Sequence, residues 1–245
     1  MWDEAVVLPL LGVVFLATLI RSAFVFGEAL VAVPLLALFM PVKVATPLAV
    51  LLSITVAAVI LVQDWRKVHV QSAWRLVLPT LVGIPLGLLL LRNASEQLVK
   101  AILAAVILSF SLYSLLGRMR FELKSDRSAW VFGFVAGILG GTYGMNGPPL
   151  VIFGSLRRWS PEHFRATLQG YFLPASLIGM AGYWLDGLWV PAVTRYFFLS
   201  LPVALAAVFL GRGINQRMRA HTFIRYVHVG LLGVGMMLLM QALGK

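Results

Sequence analysis

Ten apolar runs, nearly free of charge, alternate with short polar connectors along the chain: Ala5–Ile20, Ala29–Val42, Val44–Val62, Leu76–Leu91, Ala101–Gly117, Ala129–Thr142, Gly147–Leu156, Ala166–Leu185, Tyr196–Gly211 and Tyr226–Gly244. A helix that crosses a bilayer needs about 20 predominantly apolar residues, and at least six of these runs approach that length. The pattern predicts an all-α polytopic membrane protein. Two runs are too short for full crossings, Ala129–Thr142 and Gly147–Leu156, and between them stands GGTYGMNGPP (140–149). Non-helical backbone at membrane depth is tolerated only where protein buries it or it lines a cavity. The pair therefore predicts a broken or re-entrant helix hairpin with this polar stretch at its tip.

Composition sharpens the class. Of 245 residues, 60% are hydrophobic and 12% charged, and the mean hydropathy is +0.93, whereas a soluble domain is roughly 25% charged. The N-terminus, MWDEAVV, is acidic and no small-residue cleavage site follows the first run, so that run reads as mature protein rather than a signal peptide. The absence of cysteine excludes disulfides, thiolate metal sites and cysteine nucleophiles. No cofactor, metal or nucleic acid is implied. The partner expected at this point is the lipid bilayer, and the sequence leaves a homodimer open.

The net charge of +11 is distributed as a topology signal. Segments 64–75, 118–127, 157–165 and 212–225 hold 14 of the 20 Lys and Arg, and the positive-inside rule places all four in the cytoplasm. The connectors around Lys43, 93–96 and 186–187 then lie outside, as do both termini, in a multi-pass protein of the cell (inner) membrane. The hairpin 129–156 starts and ends inside. Residues 5–42, broken at RSAFVFGE, form a matching hairpin from the other side.

Two halves correspond at an offset of roughly 120 residues. Gly27 falls on Gly147 and Pro41 on Pro161, and LPTLVGIPLGLLLL (78–91) parallels LPVALAAVFLGRGI (201–214). The first repeat is 1–117 (hairpin 5–42, spans 44–62, 76–91 and 101–117). A cytoplasmic linker, 118–128, leads to the second repeat, 129–245 (hairpin 129–156, spans 166–185, 196–211 and 226–244). A hairpin plus three spans forces the second half to enter from the opposite side. Inverted repeats with paired interrupted helices are a secondary-transporter architecture, with the substrate between the two breaks.

With FGEALVAVPLLALF, its second copy GGTYGMNGPPLVIFGSL and the SPEHFRAT step at 160–167, the chain resembles the sulfite exporter TauE/SafE family of membrane transporters. The resemblance covers nearly the whole chain and implies passage of small sulfur-containing anions, sulfite or organosulfonates, by alternating access. Where the family usually carries a glycine cluster at the first break, this chain has Phe26-Gly27-Glu28.

Broken helices expose backbone N–H groups and a partial positive charge, which bind anions. Gly144 and Gly147 would allow close backbone approach, Asn146 and Tyr143 would donate from side chains, and Gly27 marks the first break. Arg21 would select sulfonate oxygens with its guanidinium, and Glu28 would be its partner or a proton carrier. Charges at membrane depth are functional candidates by default. Ser22, Thr46, Thr167 and Gln169 are neutral donors near the breaks, and Arg165 is either a topology signal or a gate. Two rival functions remain at this stage. Glu28, if unpaired, would serve a proton- or cation-coupled transporter, and a Ser155–His228 dyad would serve an intramembrane hydrolase.

Overall fold

The computed structural model describes residues 4–24, 27–64, 70–116, 122, 123, 125, 127–215 and 220–244. Ten helices occupy them: α1 (Glu4–Phe24), α2 (Glu28–Leu36), α3 (Val42–Asp64), α4 (Val70–Asn93), α5 (Glu96–Leu116), α6 (Ser128–Tyr143), α7 (Gly147–Leu156), α8 (Pro161–Leu185), α9 (Pro191–Asn215) and α10 (Ala220–Ala242). Each apolar run became a helix or most of one, and most helices run past their apolar runs into polar flanks. The protein is all-helical among the described residues, and five helices carry a stretch long and apolar enough to cross a membrane. Large side chains such as Leu8, Val82, Phe198 and Phe209 are exposed on them, as a lipid-facing surface requires. Trp74, Trp184 and Trp189 are exposed toward helix ends, where an interfacial aromatic belt places them.

Charge alone misjudged the width of the basic connectors. The 157–165 segment is a loop only over 157–160: Ser160 caps α8, its hydroxyl accepting the His163 N–H at 3.2 Å, and Pro161 opens the helix. Likewise Arg75 rides on α4, Arg212 on α9 and Arg225 on α10. Arg66, Lys67, Arg118, Arg120, Lys124, Arg217 and Arg219 lie outside the described residues.

The helices have two distinct ends, and α4 ties them together, with Arg75 near one and Arg92 about 26 Å along the axis. At the Arg92 end, Lys43 Nζ donates to the Arg92 carbonyl at 2.9 Å and the Val42 N–H to Glu96 Oε1 at 3.0 Å, while Arg92 meets Asp186 at 3.6 Å. The three connectors grouped by their low positive charge are thus gathered in space. At the other end, Arg158 pairs with Glu122 at 3.1 Å and Arg157 Nη1 donates to the Leu123 carbonyl at 2.9 Å, beside Arg75. The first hairpin has its base at the Arg92 end and the second at the Arg75 end.

Their limbs are unequal. Helices α2, α6 and α7, of 9, 16 and 10 residues, reach about 14, 24 and 15 Å, short of a hydrocarbon core of about 30 Å. Helix α1, at 21 residues, is long enough to cross. Its last turn continues through Arg21 because the charge there finds a partner inside the protein.

Several helix contacts are reciprocal, although α2 rests on α3 and α10 without a comparable contact of α7 on α8 and α5. Helix α1 lies on α9 as α6 lies on α4, α3 touches α9 as α8 touches α4, and α3 meets α8 as α5 meets α10. The α4–α6 contact is backbone against backbone: a Cβ added at Gly83 or Gly87 would sit 2.2 Å from the carbonyl oxygen of Phe134 or Ile138. Small residues that let helices approach this closely replace the hydrophobic effect, which lipid does not supply between helices.

Candidate functional site

Helix α1 ends before Gly27, whose φ of 103° turns the chain into α2. Glu28 is the first residue of α2, and Arg21 sits in the last turn of α1. Both are buried, 1% and 4% exposed. Arg21 Nη1 donates to Glu28 Oε2 at 3.1 Å and to the Ser53 hydroxyl of α3. The other carboxylate oxygen of Glu28 accepts from the Thr18 hydroxyl at 3.3 Å. The guanidinium carbon lies 5.1 Å from the centre of the Phe172 ring of α8, a cation–π distance. Arg21 Nε is buried and has no hydrogen-bond partner. Among the described residues only Nη1 of the guanidinium is engaged in hydrogen bonds, which leaves the buried Nε as a donor without an acceptor.

The second break ends α6 at Gly144, in the left-handed region at φ 66°, its N–H returning to the Gly140 carbonyl at 2.8 Å. A side chain here would be strained, and its Cβ would lie 2.6 Å from Val50 Cγ2. Asn146 precedes α7 and donates from Nδ2 to the Tyr171 hydroxyl at 3.3 Å. That hydroxyl lies 2.8 Å from Thr80 Oγ1, which is itself 2.8 Å from the Leu76 and Gly133 carbonyl oxygens. Since Thr80 has one proton and spends it on a carbonyl, Tyr171 donates to Thr80 and is left to accept from Asn146. The chain fixes the carboxamide. Gly140 leaves room for it, because a Cβ there would meet Nδ2 at 2.5 Å. Tyr183 secures the end of α6 by donating to the Gly140 and Gly141 carbonyls, at 2.7 and 2.8 Å.

The two breaks share one cavity of about 20 Å³, lined by Arg21, Glu28 and Ser53 from one side and Gly144, Asn146 and Phe172 from the other; Gly27 and Gly147 also border it. That is room for about one water molecule.

The remaining candidates fall elsewhere. The Tyr143 hydroxyl donates to the Val99 carbonyl at 2.8 Å, away from the cavity. Ser22 faces α9, where Gly211 approaches its Cβ. Thr46 and Thr167 are fully buried with unpartnered hydroxyls and do not line the cavity; Thr46 Cγ2 passes under Gly144. The side chains of Arg165 and Gln169 lie outside the described residues. Thr18, Ser53, Tyr171, Phe172 and Thr80 were not singled out from sequence. Each is an ordinary residue in a long helix, made relevant only by what packs against it.

Backbone donors are also unevenly shared. A helix start leaves four N–H groups without intrahelical partners, and Gly27, Glu28, Ala29 and Leu30 supply all four at α2. At α7, Pro148 and Pro149 remove two of the four. The first break is the richer N–H cradle, although its sequence holds one glycine.

The rivals lose their structural premises. Glu28 is paired with Arg21, so the free carboxylate that a cation site needs is not there. No hydrogen bond joins Ser155 to His228, whose ring instead meets Phe110 edge-on at 5.4 Å. His228 Nδ1 has no partner, against the interhelical hydrogen bond expected of a buried histidine. No cluster of three or more metal-ligating side chains occurs among the described residues.

No solved structure matches the chain. A protein of Cupriavidus necator described as a probable sulfite/organosulfonate exporter TauE is 28% identical over 181 residues, 74% of this chain and 70% of that protein. The family profile described as sulfite exporter TauE/SafE matches residues 10–238. Spanning helices, paired breaks and this match together place the chain in the sulfite exporter TauE/SafE family of membrane transporters.

Proposed function

We propose that the protein carries small sulfur oxyanions, sulfite or organosulfonates, across the inner membrane, holding each anion at Arg21 between the two helix breaks. The observation that carries this reading is the buried guanidinium, lining the shared cavity with Nε unspent. Around it stand the four N–H groups that open α2, the Ser53 hydroxyl and the fixed Asn146 carboxamide. A sulfonate presents three oxygens to such a set, two of them suited to a guanidinium fork. The Cupriavidus necator relative, described as a probable sulfite/organosulfonate exporter, agrees in substrate class.

On the same reading, residues 1–117 and 129–245 are inverted repeats joined by 118–128, with both termini outside the cytoplasm. Reciprocal packing supports this, since adding five to each helix number turns α1–α9 into α6–α4, α3–α9 into α8–α4, and α3–α8 and α5–α10 into themselves. Hairpins based at opposite ends support it too. Rocking of one half against the other would open the cavity alternately to the two ends.

The test is thermal stability in detergent against sulfite, sulfate, thiosulfate, sulfoacetate, taurine and chloride, on wild type and Asn146→Ala. A ligand of the folded state adds about 2.7 kcal/mol at a hundredfold excess over its Kd. A rise selective for sulfite or sulfoacetate, reduced in Asn146→Ala, is expected. An unselective or absent response refutes the site.

A further inference from the structure

Arg21 already holds an oxyanion, the carboxylate of Glu28. Both side chains line the cavity, and the carboxylate offers the guanidinium what a sulfonate would, paired oxygens and a negative charge. Among the described residues, Arg21 is the charged group that faces Glu28. Of the neighbours of α2, α3 contributes the neutral Ser53, α5 keeps Glu96 and Lys100 paired with each other at 3.9 Å near its far end, and α10 turns His228 onto Phe110.

We infer that Glu28 is a built-in stand-in for the transported anion, held by Arg21 until a sulfite or sulfonate displaces it from the guanidinium. This rests on the anion-transport reading above and adds a consequence. A carrier that binds its substrate through a buried arginine must also reset without the substrate, and an unpaired charge in a closed low-dielectric site is strongly disfavoured. Here the charge is matched from within, in a cavity that has closed to about 20 Å³. The reset step needs no anion from the far side, so the protein carries out net transport instead of obligatory exchange. Glu28 need not leave the site when displaced. Thr18 already donates to it, and as the first residue of α2 it sits at the positive end of that helix.

The experiment uses the full-length protein in liposomes loaded with radiolabelled sulfite. Efflux into sulfite-free medium is compared with exchange against external sulfite, for wild type and Glu28→Gln. Wild type is expected to show both modes. In Glu28→Gln the ratio of net efflux to exchange falls roughly a hundredfold, the effect of one buried charge left unpaired on the reset step. Sulfite binding to Glu28→Gln, followed by thermal shift, becomes tighter because the competing carboxylate is gone. Obligatory exchange in wild type overturns the stand-in, and this measurement needs no variant to fold. An unchanged ratio in Glu28→Gln overturns it as well. If wild type moves sulfite in neither mode and sulfite leaves its stability unchanged, the anion-transport reading falls too; sulfite binding with obligatory exchange leaves that reading standing and removes the stand-in alone.

Discussion

Gly87→Ala places one methyl group where two helix backbones meet, and the cost follows from the distances. The new Cβ would lie 2.2 Å from the Ile138 carbonyl oxygen, 2.8 Å from the Thr142 nitrogen and 2.9 Å from Gly141 Cα, all backbone atoms unable to swing away. Ordinary contact begins near 3.4 Å, so α4 and α6 must part locally by about 1 Å. A gap of that size forfeits a quarter to a half of each dispersion contact along the seam, and overpacking of this kind costs about 1–3 kcal/mol. Separation also stretches the Thr142 hydroxyl bond to the Gly87 carbonyl, now 3.1 Å. A loss of about 2–3 kcal/mol is expected in the unfolding free energy measured by denaturant titration in detergent. Transport should fall as well, because α6 ends at Gly144 and its displacement carries into the cavity. The control is Gly12→Ala on α1, where a Cβ meets nothing within 4 Å; better helix propensity should leave it up to about 1 kcal/mol more stable. If the two variants unfold within about 0.5 kcal/mol of each other, the close α4–α6 seam does not hold the fold as argued.

Gly144→Ala combines a left-handed backbone with the Val50 contact, whereas Gly187→Ala, at φ 69°, meets open space. Strain alone costs about 1–2 kcal/mol, so Gly187→Ala should lose that much and Gly144→Ala more; equal losses in the same titration would remove Val50 from the account. Tyr171→Phe deletes the hydroxyl between Asn146 and Thr80, and losing that bond, worth about 1 kcal/mol, should weaken sulfite binding roughly fivefold. Calorimetry showing unchanged affinity would mean that Asn146 does not need the relay. Arg21→Lys keeps the charge opposite Glu28 but loses the planar fork. Sulfite affinity should drop at least about tenfold while the protein stays folded, and an affinity equal to wild type would make the site a point charge without geometric selection.

Much of this architecture was legible because a bilayer leaves so little choice. Apolar runs must be helices when no water is present to satisfy the backbone, and every run proved to be one. Arg21 and Glu28 were legible for the same reason, since a charge within such runs is costly enough to demand a partner. The phase of each helix was hidden. Helix α6 is apolar on nearly every side, so no polar stripe tells which way Tyr143 points, and it points to Val99 while Tyr171, an equally plain tyrosine on α8, reaches Asn146. Ser53 and Phe172 meet Arg21 from positions 32 and 151 residues away, a proximity that only tertiary packing creates. Basic connectors looked too wide because the sign of a charge marks a membrane side without marking where a helix ends.

One feature of the cradle was open to inspection in the sequence and points the other way from its glycine count. GGTYGMNGPP looks like the stronger anion site because glycine lets backbone approach a ligand, yet its two prolines cannot donate, and they sit where α7 would otherwise present N–H groups. FGEA looks weaker, with one glycine and an acid, yet all four opening positions of α2 keep their N–H. The acid itself then explains the arginine one helix turn before the break. A break rich in donors and carrying a guanidinium attracts an anion, and in this structure the Glu28 carboxylate takes the guanidinium while the N–H groups that open α2 receive no side-chain cap. On the proposed reading the two breaks divide the work: the first would bind charge, while the second supplies a rigid wall, closed by Gly144 and oriented by Asn146 through Tyr171 and Thr80.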